Sequence, residues 1–225
     1  YVTNYISHFI EDANTGKRKL NTTNHFVILN WKSRASEIIN DMLYSDEKQK
    51  LVVLVQSRKE EIEREIDERL TDTIIRENLA IEKEYSSLPF LQRKIAIARN
   101  RFKKNVTVMV REGDVFSSKQ LNDISLNNAR AVIILGNDIN NTICKFEHRE
   151  KIEESRKGNS QTIKTLMQVS DITADATSAD NQKIIVEITD KWTLELVEKI
   201  IAAKQVQGKC NIIPVSVNQI LGQIL

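Results

Sequence analysis

Across 225 residues, 40% apolar and 28% charged, the chain can bury a sizeable core and shows no bias toward disorder or a disulfide scaffold. A formal net charge of +2 excludes a chain built chiefly to neutralise phosphates, so no nucleic-acid partner is expected. No apolar run approaches the roughly 18 to 20 residues that span a bilayer.

The chain opens on Tyr1-Val2-Thr3 with neither Met nor a signal pattern, so it is expected to be part of something longer. Residues 1–24 are expected to be a linker, in which Lys17-Arg18-Lys19 is a solvated basic run. Cys144 and Cys210 stand far apart with no Cys-x-x-Cys spacing, which predicts reduced thiols. His8, His25 and His148 show no ligand spacing and are expected on the surface or in loops.

Six Val/Ile-rich runs follow, at residues 26–29, 51–55, 106–110, 131–135, 184–188 and 211–213. None alternates cleanly between apolar and polar, which suits strands covered on both faces. Helical patterns lie between them. One carries Ala35, Ile38, Ile39, Met42 and Leu43, another Trp192, Leu196, Val197, Ile200 and Ile201. Ser117-Ser-Lys-Gln120 and Ser216-Val-Asn-Gln219 have the form of capping boxes. The alternation predicts an α/β fold: a Rossmann-like, doubly wound, mainly parallel six-stranded sheet over residues 25–225.

Two stretches exceed what that fold needs. Residues 57–105 predict a long helix striped by Ile62, Ile66 and Leu70, a break at Pro89, and a second helix over 92–101. This insertion is either a solvated hairpin or an interface. Residues 140–160 read as a charged surface extension before a helix at 161–169, and residues 170–181 as a polar loop.

The stretch "NHFVILNWKSRASEIINDML" (residues 24–43) has the strand–turn–helix shape of a dinucleotide-binding elbow. Asn30, Lys32 and Ala35 stand where its three glycines would be. Those glycines allow the tight turn, the approach of pyrophosphate, and the packing of helix on strand. Ala35 nearly suffices for the third role, but the stem of Lys32 fills the space of the second. Val55-Gln56-Ser57 lacks the acid that would hold a ribose. NAD is therefore not expected, although Asn30, Lys32 and Ser33 at a helix N-terminus could hold another anion.

No nucleophile elbow, phosphate loop or His-Glu-x-x-His is present, so catalytic residues are not expected. Asp114, Asp138, Glu187 and Asp190 fall at strand ends, where open α/β sheets bind ligands. Each is a candidate for Ca²⁺, which takes six to eight oxygens, or simply a helix cap.

The stretch "VREGDVFSSKQLNDISLNNARAVIILGND" (residues 110–138) resembles the regulator-of-potassium-conductance (RCK) domain of ion channels. "NHFVILNW" resembles the Asn-His-Thr-Leu-Ile-Leu-Gly-Trp of the CASTOR/POLLUX channel family. "IIVEITDKWTLELVEKI" resembles that family's fifth strand and next helix. "GKRKLNTTNHFVILNW" resembles the segment joining its last pore helix to the first RCK strand. The resemblance covers residues 15–56, 106–138 and 161–225; Asn30 and Gln56 depart from it. It implies a homo-oligomeric ring of domains on the cytoplasmic face of a membrane, beneath a tetrameric cation pore of the potassium-channel kind. Residues 10–23 would transmit its movement, and calcium would be a ligand. The helix opening at Ser216 would lead into interface helices. Two alternatives are a soluble nucleotide-binding subunit of a potassium-uptake system and a Rossmann oxidoreductase.

Overall fold

The computed structural model describes residues 19–136, 148–174, 182–188, 191–205 and 211–216. Its strands are β1 (His25–Leu29), β2 (Gln49–Val55), β3 (Val106–Glu112), β4 (Ala129–Ile134), β5 (Lys183–Ile188) and β6 (Asn211–Ser216). They form one parallel sheet in the order β3-β2-β1-β4-β5-β6. The helices are α1 (Ser33–Asp41), α2 (Lys59–Glu84), α3 (Phe90–Asn100), α4 (Ser118–Asp123), α5 (His148–Ala174) and α6 (Lys191–Gln205). This is the Rossmann-like α/β arrangement expected from the alternating runs.

The chain forms two compact units. One comprises residues 1–32, 50–59 and 108–225, the other residues 33–49 and 60–107. In the first, Val27, Leu29, Val52, Leu54, Val132 and Ile134 recur at every second strand position and join one core with Leu121 of α4, Leu166 of α5 and Val197 of α6. Ile28, Val53 and Ile133, which point the other way, are buried as well. Strands covered on both faces show no alternation, because each side chain gains about 1.5–3 kcal/mol by leaving water, whichever way it points.

The second unit holds α1, the 3₁₀ turn Met42–Tyr44, α2 and α3. Ile62, Ile66 and Leu70 of α2 are buried at spacings of four, as the stripe predicted. Arg69 donates to Ser36 Oγ at 2.9 Å and lies 3.6 Å from Glu37, tying α2 to α1. Asn78 and Phe102 bond reciprocally, Nδ2 to the carbonyl at 3.2 Å and the amide to Oδ1 at 3.0 Å.

Several expectations differ from the structure. His25, expected at the surface, opens β1 and is fully buried; its Nε2 lies 3.1 Å from the Ile124 carbonyl, and that bond makes a buried imidazole tolerable. Met42 and Leu43 sit in the 3₁₀ turn beyond α1. Trp192 is 67% exposed, and Thr193 and Val197 form the buried stripe of α6 instead. The helix expected at 161–169 runs from His148 to Ala174; residues 149–157 are mostly Arg, Glu and Lys, good helix formers, and no proline interrupts them before the less favourable Gly158. Residues 170–174, expected in a loop, are therefore its last turn. Half of the first capping box forms: Ser117 accepts from the Gln120 amide at 3.5 Å, while the Gln120 side chain turns to the Asp114 amide. The second box falls on Ser216, where β6 ends, and residues 217–225 lie outside the described residues.

Candidate functional site

The order β3-β2-β1-β4-β5-β6 reverses direction between β1 and β4. In open α/β sheets the crevice beyond the carboxyl ends at that point is where ligands bind. Here Leu29 leads into Asn30, whose φ of 69° lies in the left-handed region. Asn tolerates that conformation better than other residues with a β-carbon. Its amide donates to the Leu54 carbonyl of β2 at 3.0 Å, and its Nδ2 donates to the Leu135 carbonyl beyond β4 at 3.1 Å. Leu135 returns a bond from its amide to the Leu29 carbonyl at 3.1 Å. Asn30 thus replaces the first glycine and also ties together the ends of three strands.

Lys32 Nζ lies 3.0 Å from Glu187 Oε2, and the two side chains are only 14% and 11% exposed. The Gly136 amide donates to the same oxygen at 3.2 Å. A β-carbon at Gly136 would stand 2.9 Å from Lys32 Nζ, so glycine is what allows the ammonium to lie across the end of β4. The crevice is occupied from within: an ammonium and a main-chain amide, groups that would suit a phosphate, converge on a carboxylate of the chain itself. That carboxylate repels an incoming pyrophosphate, and Gln56 beyond β2 carries no charge for a ribose. These residues do not fit a dinucleotide.

Asp114 follows β3, where its Oδ1 accepts from the Phe116 amide at 2.9 Å, as a local turn-forming carboxylate does. Between β3 and β5 lie β2, β1 and β4, four strand spacings or about 19 Å, so Asp114 and Glu187 cannot share an ion. Among the described residues no three His, Cys, Asp or Glu side chains gather as metal ligands. Asp138 and Asp190 lie outside the described residues. Ser33 opens α1, and its carbonyl accepts from Ser36 Oγ at 2.6 Å.

A second buried polar cluster was not expected from sequence. The loop before β4 receives the chain that leads into β1. The Leu20 amide donates to the Asp123 carbonyl at 2.6 Å, Ser125 Oγ donates to the Leu20 carbonyl, and the Asn24 amide donates to the Asn128 carbonyl at 2.9 Å. Beneath them Arg111, 1% exposed, donates to the Asp123 carbonyl at 3.3 Å. Gln182 donates to the Leu126 carbonyl at 2.8 Å, and His25 holds that of Ile124. Burial pushes the Arg111 guanidinium below its ordinary value, an effect the Asp123 charge opposes. Burial also lowers the His25 pKa; the Ile124 carbonyl works against this and the charge of Lys50 adds to it. The only sequence signals were a charged residue inside "VTVMVRE" and a histidine beside "FVIL", each too ordinary to stand out.

No family model and no curated protein matches this chain. Among solved structures, a ketoreductase domain from the bacillaene assembly line is similar at a TM-score of 0.51 and 11% identity, over 88% of this chain and 45% of that one. The human SLO3 gating ring is similar at a TM-score of 0.41 and 13% identity, over 85% of this chain and 24% of that one. This chain thus spans less than half of either. The first likeness bears on the fold alone, and the second is too weak to bear on anything. No described helix is long and apolar enough to cross a membrane.

Proposed function

We propose that the chain is a regulatory domain of a cation channel, of the potassium-channel kind, which responds to a ligand by changing conformation and catalyses nothing. The resemblance of three sequence blocks to RCK domains of the CASTOR/POLLUX type motivates the reading. The observation that carries it is the closed crevice: Lys32, Glu187 and Gly136 keep the Rossmann scaffold and fill the place where a dinucleotide would lie. A second feature fits a mechanical role. The segment ahead of β1, which would join a pore helix in such a channel, is fastened at Leu20 and Asn24 to a loop held by three buried polar side chains. Force on that segment would reach the sheet through short hydrogen bonds rather than through a slack tether.

In this reading the domains assemble as a homo-oligomeric ring on the cytoplasmic side of the pore. Calcium as the ligand rests on the family resemblance, and Glu187 could take a cation only by releasing Lys32. The rival reading, a Rossmann oxidoreductase, is favoured by the fold alone, which hosts many functions; a separately encoded potassium-uptake subunit shares the same scaffold. The test is thermal unfolding with NAD⁺, NADH, NADP⁺ and NADPH in turn. A dinucleotide at about a hundred times its Kd would stabilise by about 2.7 kcal/mol and raise Tm by about 5–10 °C for a chain of this size. No shift is expected. A shift of that size with any of the four would overturn the closed crevice and move the two nucleotide-binding readings, the uptake subunit and the oxidoreductase, to the front. For the channel itself, currents from the full-length protein should respond to loosening of the linker anchor by Ser125→Ala; unaltered gating would remove the mechanical role.

A further inference from the structure

The second unit contains a helix that its own fold does not use. No residue of α3 is buried, although the sequence "FLQRKIAIARN" is rich in apolar side chains. Phe90, Leu91 and Ile95 are 60%, 72% and 68% exposed. At 100° per residue they share one face with Lys94 and Ala98, so the apolar stripe of this helix points to solvent instead of to a core. Leu88, just ahead of it, is exposed too.

The charge around that stripe has one sign. Arg93, Lys94, Arg99, Arg101, Lys103 and Lys104 fall between residues 85 and 105, and no Asp or Glu does. The acids of this unit are concentrated on α2, from Glu60 to Glu84. The hairpin therefore separates its charges, with a cationic arm that also carries the exposed aromatic and aliphatic residues. Lys104 meets Asp67 of α2 at 3.3 Å, and Lys94 Nζ lies 4.5 Å from the centre of the Phe90 ring. That second contact leaves the cation beside the apolar stripe, in the place of a side chain that reaches past an apolar surface toward anions.

We propose that α3 is a membrane-docking element: it lies on an anionic lipid surface, with Phe90, Leu91 and Ile95 in the acyl boundary, Lys94 reaching from that same face up to the headgroups, and the Arg and Lys residues around the stripe on the headgroups. A helix with Lys or Arg on its polar side and Phe, Leu or Ile on the other binds membrane interfaces by both terms together. The same cations repel the α3 of a second copy, which disfavours pairing of this stripe with itself. The inference does not depend on the channel reading, since it uses only residues of the insertion.

The experiment is flotation of the chain with vesicles of phosphatidylcholine alone and of phosphatidylcholine with about a third phosphatidylserine. Two variants accompany it, Lys94→Gln/Arg99→Gln/Arg101→Gln and Leu91→Ser/Ile95→Ser, all at exposed positions, with circular dichroism to check that α3 still forms. The parent is expected to float with the anionic vesicles only, and less as salt rises. The triple variant should lose roughly fivefold in partitioning per cation removed, on the order of a hundredfold in all. The double variant should lose binding at unchanged charge. Absence of binding to anionic vesicles would overturn the proposal, as would binding that ignores lipid charge or that survives both variants. An oligomer of the parent, seen by sedimentation without lipid and dissolved by the double variant, would overturn it in favour of a contact between copies. Binding of an acidic peptide in preference to the vesicles would overturn it in favour of an acidic protein partner.

Discussion

Replacing Lys32 by Met isolates the ion pair that fills the crevice. The Lys32–Glu187 contact is 3.0 Å long, and 14% and 11% of the two side chains reach water. Removing one partner of a well-buried pair costs about 3–5 kcal/mol, because the other charge is left without compensation. The low end, about 3 kcal/mol, applies here, since the Gly136 amide still donates to Glu187 and some solvent reaches it. For a chain of this length that is a fall in Tm of about 6–12 °C. Glu187→Leu should be destabilising too, since it removes the carboxylate 3.0 Å from the ammonium. The double variant, Lys32→Met/Glu187→Leu, leaves no buried charge and is expected to cost less than either single change. Urea unfolding of all four proteins gives the coupling energy directly. If the single changes cost under about 0.5 kcal/mol, or if their effects simply add, the pair is a surface contact and the claim that the crevice is closed by it fails.

Asn30 holds φ at 69° and bonds Leu135 through its side chain. Asn30→Gly should lose about 1 kcal/mol for the hydrogen bond, and Asn30→Ala about 1–2 kcal/mol more for the left-handed backbone; equal losses in urea unfolding would mean the turn is not strained. Gly136→Ala should displace the Lys32 ammonium from Glu187, since its β-carbon would stand 2.9 Å from Nζ; the end of a lysine moves easily, so the cost is that of a loosened ion pair, up to about 1 kcal/mol. That cost should shrink in the Lys32→Ala background, and a cost unchanged there would place the clash elsewhere. The pKa of His25 is lowered in the folded state, so the unfolded chain binds the proton more readily. The stability this neutral histidine confers is present above about pH 6.5 and is lost as pH falls through the window between that value and its folded pKa, with a slope of at most about 1.4 kcal/mol per pH unit. His25→Gln should flatten the profile of unfolding free energy between pH 7 and 5, on the order of the loss just given; an unchanged profile would assign the slope to other groups.

The sheet was legible because its evidence is redundant: six Val/Ile runs, of which the central three, β1, β2 and β4, lack alternation because they are buried on both faces, while β3, β5 and β6 keep exposed or half-buried positions. The long α2 was legible from Ile62, Ile66 and Leu70 at spacings of four with charged residues at the positions between them, where a strand would repeat every two. Trp192 misled because a large aromatic counts as core in any periodicity, and only packing decides that it stays outside. His25 misled because one histidine beside an apolar run gives no sign of which carbonyl will receive it, and Ile124 lies 99 positions away. The crevice was half legible. Lys32 and Glu187 each stood out by position, but their pairing depends on the strand order placing β4 beside β1 and β5 beside β4, a long-range fact that no local pattern encodes.

That pairing explains how the elbow can lack its glycines. The first glycine position needs a positive φ, which Asn30 adopts while its side chain bonds Leu135 across the strand ends. The third needs a small residue, and Ala35 is fully buried there. Only the second needs empty space, and it needs it for a ligand's phosphates, not for the fold. Once Glu187 supplies the negative charge from within, a lysine at that position contributes to stability instead of obstructing a ligand, and the glycine left in the cluster, Gly136, is the one that makes room for the lysine. The glycine requirement has thus moved from β1, where a dinucleotide would impose it, to the end of β4, where the protein's own ion pair does. Gly136→Ala and Asn30→Gly separate the two: the first should weaken the crevice although alanine favours order, the second should keep its turn and leave the Lys32–Glu187 coupling intact. If instead Asn30→Gly abolished that coupling and Gly136→Ala left it unchanged, the ion pair would depend on the turn and not on the space at Gly136.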